Sequence, residues 1–126
     1  MKSKYCARCG RVMTFRKQWA NNWDHVKYCS KACRTRRIRP VDSALESEIL
    51  VLLLHRSARS SICPSEAARR VEPNDWRDLM EACRMAARRL AVLGVVEICQ
   101  GSAVVDISTA KGPIRIRRGP KFSDRV

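Results

Sequence analysis

Cys6-Ala7-Arg8-Cys9-Gly10, then eighteen residues, then Cys29-Ser30-Lys31-Ala32-Cys33 is the stretch that decides how this chain folds. Two short-spaced cysteine pairs deliver four soft ligands to one tetrahedron with little chain strain. The spacing therefore predicts a single structural zinc ion on Cys6, Cys9, Cys29 and Cys33. Gly10 suits the positive φ that a tight knuckle turn requires. Ser30 suits a helix N-cap, which places Cys33 in the first turn and turns the helix dipole toward the thiolates. Between the pairs, Val12, Thr14 and Phe15 suit a short strand and Asn21-Asn22 a turn. His25, four residues before Cys29, is an alternative ligand, disfavoured because four cysteines already complete the shell. A complete shell also leaves no open coordination position, which points to structure and away from metal catalysis.

Outward from this stretch, the other cysteines of the seven are single: Cys63, Cys83 and Cys99. That pattern reads as one metal site plus three core thiols in a reducing compartment, in preference to a disulfide framework. The longest aliphatic run, 49–54, is far short of the roughly 20 residues that cross a bilayer. Residues 1–4 lead straight to the first cysteine pair with no apolar segment, so the expected location is cytoplasmic. Apolar residues make up 45% of the 126, enough for a packed core. The formal net charge of +14 is uneven: residues 1–40 carry +11, residues 41–110 carry −2 and residues 111–126 carry +5. Basic segments flanking a near-neutral middle usually meet polyanions, most often nucleic acid.

The Arg39-Pro40 junction divides the chain, because proline disfavours helix at the residue before it and the arginine-rich run ends there. Residues 1–39 are too few to bury an adequate core without a metal or disulfides, so size and cysteine spacing agree. Knuckle, hairpin and the string Tyr28-Cys29-Ser30 through Cys33-Arg34 resemble a treble-clef zinc finger, similar to the small bacterial DNA-gyrase-inhibitor zinc proteins. Read with Trp19, Trp23-Asp24 and Val26-Lys27, residues 4–37 resemble more closely a bacterial zinc-finger family with no established activity. The resemblance implies zinc ligation by the same four cysteines. Trp19 and Trp23 can form a stacking platform for bases, although covering the metal site is the favoured role in so small a finger.

Residues 40–118 read as a second module. A helix over 42–56, capped by Asp42 or Ser43, lines Leu45, Ile49, Leu52 and Leu53 along one face. After a polar break at 57–61, Pro64 opens a second helix over 65–71. Asn74 or Asp75 caps a third over 76–93, which stops at Gly94. Its apolar arc runs from Trp76 through Cys83, Ala86, Ala87 and Leu90, while Arg77, Glu81, Arg84 and Arg88 share the opposite face. A hairpin over 95–98 and 103–106 follows, and Ile114-Arg115-Ile116-Arg117 alternates like a further strand. Three helices and then a hairpin is the order of a winged helix, a helix-turn-helix variant. Residues 42–118, ending in Gly112-Pro113-Ile114-Arg115, resemble a second small bacterial family of that type. The expected architecture is thus small α+β, a finger plus a winged helix, with residues 119–126 as a basic tail.

The function expected is nucleic-acid binding, to duplex DNA or structured RNA, because basic clusters alone do not separate the two. Arg34, Arg36, Arg37 and Arg39 are the first candidates for phosphate contacts, with Arg115, Arg117 and Arg118 next. Arg77, Arg84 and Arg88 are candidates on the third helix, where Glu81 and the module's negative balance weigh against groove reading. The alternative is a protein-binding adaptor or inhibitor that docks its basic segments on an acidic partner. An enzyme is not expected: there are two histidines, no phosphate-cradling glycine loop and no nucleophile placed beside a base. His55 suits the C-terminal dipole of the first helix better than it suits catalysis.

Overall fold

The computed structural model describes residues 3–106 and 108–125. The finger begins with two three-residue strands, β1 (Ser3–Tyr5) and β2 (Val12–Thr14), paired antiparallel with Tyr5 opposite Val12. Single 3-10 turns follow at Lys17–Trp19 and Trp23–His25. Helix α1 (Lys31–Arg36) closes it, with Ser30 Oγ accepting the Cys33 N–H at 3.2 Å as the N-cap. Met13, Trp23 and three of the four cysteines are buried together, with Phe15, Trp19, Val26 and Tyr28 packed around them, a small core for a small body.

Helix α2 (Pro40–Leu54) starts two residues before the expected position. The reason is local chemistry. Pro40 has the φ of a first helical residue and no N–H to orphan, while the Asp42 carboxylate accepts the Arg39 N–H at 2.8 Å. Asp42 is therefore the third helical residue of a capping box, and the cap is Arg39. Helix α3 (Pro64–Val71) repeats the device, with Glu66 accepting the Cys63 N–H at 2.8 Å. The expected third helix is split: Trp76–Leu79 is a 3-10 turn and α4 runs Met80–Val92. It ends at Gly94, whose φ is +78°.

The three helices pack on a four-stranded antiparallel sheet of order β3-β6-β4-β5, made of β3 (Ser61–Ile62), β4 (Val96–Gln100), β5 (Ala103–Val104) and β6 (Arg115–Arg118). The run 114–117, expected as an alternating strand, is thus a central strand one residue later. Ile116 faces Ile62 on one side and Ile98 on the other. These join Leu45, Ile49, Leu53 and Leu90 in one core. Cys83 and Cys99 are buried as expected, and burial pushes the Cys83 thiol up to about 12, so it packs as a neutral apolar group. Cys63 is only half-buried, because it caps α3.

Residues 119–125, expected as a basic tail, are tied to the fold. Gly119 and Lys121 donate their N–H groups to Val95 and Gly94 carbonyls, each at 2.9 Å. A last turn, α5 (Phe122–Arg125), then drops Phe122 into the core. An aromatic ring with its apolar area to bury outweighs the solvation of its charged neighbours.

The Arg56 guanidinium, and after it the Cys63 N–H, hold the Glu66 carboxyl below the usual carboxylate range. Its stabilising share is therefore present above the unfolded pKa of about 4.3 and lost as pH falls through the folded value. Glu66→Ala should lower stability by about 1 kcal/mol at neutral pH, the usual worth of a capping interaction. In urea titrations the penalty should shrink below about pH 4.

Candidate metal centre and the basic groove beside it

The knuckle closes where β1 ends: the Cys6 N–H donates to Arg11 O at 2.8 Å and the Gly10 N–H to Cys6 O at 3.0 Å. Gly10 takes a φ of +77°, the conformation its place in the sequence predicted. From the other half, the Cys29 N–H donates to Cys6 Sγ at 3.3 Å, and the capped first turn of α1 carries Cys33 inward. The sulfurs of Cys6, Cys9, Cys29 and Cys33 all lie within 4.8 Å of one another. Cys9 and Cys29 are 3.6 Å apart, Cys29 and Cys33 3.7 Å. A tetrahedron with metal–sulfur bonds of about 2.3 Å has edges of about 3.8 Å, whereas a disulfide needs about 2.05 Å. The cluster can hold one metal ion, and its bound ion would act as a cross-link between knuckle and helix. His25 is exposed and is not part of the cluster.

The Cys9 thiol donates to Cys6, and backbone N–H groups add to it, so the Cys6 thiol is held down at about 4 while Cys9 is pushed up by the same shared proton and burial pushes Cys29 up. Arg8, only 6% exposed, donates Nη1 to Cys33 Sγ at 3.5 Å. A second buried guanidinium comes from α4: Arg88, 5% exposed, lies beneath Gly10. Burial lowers its pKa, the nearby Arg11 charge lowers it further, and Glu81 and Cys9 pull the other way. Arg8 Nε and Arg88 Nη1 have no hydrogen-bond partner among the described residues, although Arg88 Nη1 stands 3.7 Å from the exposed Glu81 carboxylate as an ion pair. Such atoms are costly to bury; four thiolates around a bound metal ion would offset that cost.

These contacts join the finger to the rest of the chain. Arg89 of α4 donates Nη1 to Arg8 O at 2.6 Å and Nε to Glu46 at 2.7 Å. Met85 packs on the finger's buried cluster, and the Val12 N–H donates to Ser108 Oγ at 2.8 Å.

On the finger's outer side lies a cavity of about 700 Å³. Arg16, Lys27, Lys31, Arg34 and Arg37 line it together with Trp19 and Tyr28, and no carboxylate does among the described residues. Arg37 ends α1 with a φ of 53°, a left-handed value that costs a non-glycine residue about 1 kcal/mol or more.

Residues 42–119, more than half of the chain, match the family described as "Protein of unknown function (DUF3253)". The chain belongs to the DUF3253 family. Residues 1–36, which carry the four cysteines, match a second family, "Uncharacterized protein conserved in bacteria (DUF2256)". No curated protein matches the chain.

Within the DUF3253 part, the arginines expected to touch nucleic acid are mostly engaged in the fold. Arg88 is the clearest correction: it faces the finger, so the open Arg77–Arg88 face read from helical spacing does not exist at that end. Helical spacing within one module carries no trace of the finger that buries Arg88. Arg117 pairs with Glu97 at 3.0 Å, and Arg115 donates to Ser61 O at 2.8 Å. Arg118 donates to the carbonyls of Leu53, Leu54 and Arg56, satisfying the end of α2. Arg84 donates to Gly112 O at 3.1 Å, and Arg77 lies over Trp76, its guanidinium 4.5 Å from the ring centre. Arg34 and Arg37 line the groove, while Arg36 and Arg39 are exposed outside its lining. Arg16, Lys27 and Lys31 were missed. Their signal is present, since Lys27 and Lys31 bracket Cys29 at two residues on either side.

Gly10 tests the junction. A Cβ there would stand 2.5 Å from Arg88 Cβ and 2.9 Å from Arg88 C, on a positive-φ backbone. Gly10→Ala should cost at least about 2 kcal/mol by chemical denaturation, from about 1 kcal/mol of backbone strain and about 1–3 kcal/mol of overpacking. A loss below about 0.5 kcal/mol, the range of a neutral surface change, would mean that the finger does not sit on α4.

Proposed function

We propose that this is a zinc-containing, cytoplasmic bacterial protein that binds nucleic acid through its N-terminal finger. The observation that carries the reading is the groove: five cations and two aromatic rings around one cavity, without a carboxylate. A field of one sign in a walled cleft concentrates a polyanion. Zinc is the ion of choice for four thiolates with tetrahedral edges of this length. The order knuckle, hairpin, capped helix supports a treble clef over residues 1–39. Three helices and an antiparallel sheet over 40–118 support a winged helix. In this reading the winged helix is a scaffold that holds the finger, because α4 turns Met85, Arg88 and Arg89 to the finger and not to solvent. The reading is of a binding protein and not of an enzyme, in keeping with a shell that four thiolates would fill.

A second reading, a protein adaptor, has one observation in its favour. A smaller cavity of about 290 Å³ at the junction is walled by Tyr5, Ile38, Val92 and Leu93, all exposed apolar side chains.

Anisotropy of labelled duplex DNA and structured RNA, titrated with metal-loaded protein across a salt series, separates the two. Each neutralised phosphate contributes about −0.9 to the log–log salt slope on duplex DNA. The expected result is a steep slope that Arg34→Ala with Arg37→Ala makes shallower by up to about two such contributions. No measurable binding to either nucleic acid at about 0.1 M salt would sink the first reading and leave the adaptor.

A further inference from the structure

We infer that the groove takes single-stranded nucleic acid, with an unpaired base stacked against Trp19 and its phosphates held by Arg16, Lys27, Lys31, Arg34 and Arg37. The inference rests on the nucleic-acid reading above and narrows its substrate class.

Trp19 is presented as a platform. One face is backed by Trp23, with ring centres 5.6 Å apart and planes at 29°. Trp23 is itself fixed: it is buried beside the sulfur cluster, Phe15 meets it edge-on at 5.5 Å, and the Lys4 amine sits 4.4 Å from its ring centre and donates to its carbonyl. Trp19, by contrast, is half-buried and lines the cavity with Tyr28. An indole held from behind and open toward a cleft loses little freedom when a base stacks on it. Both rings pack over the sulfur cluster, the role favoured from sequence, but Trp23 is buried there while Trp19 is half-buried and keeps part of its surface toward the cavity.

The cations point to the same ligand. The Arg16 guanidinium lies 5.4 Å from the Trp19 ring centre on an exposed side chain, so it can shift to a phosphate as a base arrives. A solvent-exposed cation–ring contact is weaker than a base–tryptophan stack. Lys27, Lys31, Arg34 and Arg37, from the segment around Cys29 and from α1 and its end, line the same cavity, as a groove that takes a strand's phosphates requires. At about 700 Å³ the cavity falls in the range of small-ligand sites of about 300–1,000 Å³. That is room for one or two splayed nucleotides. A duplex keeps its base faces stacked inside, and cannot offer one to Trp19 without unpairing.

The test uses full-length, metal-loaded protein and three labelled probes: a twelve-nucleotide RNA strand, the same strand in duplex, and an abasic strand of equal length and charge. Binding is followed by anisotropy and by quenching of tryptophan emission. The expected result is that the base-bearing strand binds at least about tenfold tighter than the other two and quenches the emission, the effect of stacking on an aromatic residue. Trp19→Ala should lose about ten- to a hundredfold on that strand only, and Trp19→Phe should recover most of it. The abasic comparison needs no variant, so it stands even if Trp19→Ala loses metal. Equal binding of strand, duplex and abasic probe overturns the inference while leaving phosphate binding by the finger intact. Binding of none of the three overturns both.

Discussion

Four sulfur atoms within 4.8 Å of one another are the constraint from which the rest of this structure follows. Nothing else in the finger can organise it: its strands are three residues long and its helix six, too short to persist in water on local propensity. A structural metal in finger peptides is worth on the order of 10–16 kcal/mol, more than the apolar cover here can supply. The cluster draws the knuckle and α1 together. The wall between them, from Arg16 to Lys31, becomes the rim of the groove.

The same cluster accounts for the junction with the DUF3253 part. A guanidinium is expensive to bury, and Arg8 and Arg88 are both buried with a nitrogen that makes no hydrogen bond, Arg88 having the exposed Glu81 at 3.7 Å as its ion partner. Four thiolates around a bound metal ion would give each cation a further counter-charge in a region of low dielectric. Helix α4 is consequently sandwiched, with Cys83, Ala86, Ala87 and Leu90 toward the sheet and Met85, Arg88 and Arg89 toward the finger. A helix with arginine on its finger-facing stripe does not look buried in a helical projection, yet here it is.

What was legible in the sequence and what was not divides along this line. Ligand spacing, the Ser30 cap, the Gly10 turn, the three helices and the hairpin are properties of segments within about 20 residues of each other, and local chemistry specifies them. The misplaced start of α2 was also local: Asp42 belongs to a capping box three residues past Arg39, and the acidic residue was read as the cap itself. Arg88, Phe122 and Arg118 depended on partners far along the chain. Contacts such as Gly10 with Arg88 or Leu53 with Arg118 have no periodicity to betray them. The groove was half legible, through Arg34 and Arg37. The remainder needed the fold, because Arg16 lies within the loop between the cysteine pairs and Lys31 opens α1.

X-ray absorption at the metal edge of the purified full-length protein tests the central claim most directly. The account predicts one zinc ion per chain with a first shell of four sulfurs at about 2.3 Å. A nitrogen or oxygen donor in that shell, or protein that is folded and metal-free, would contradict it.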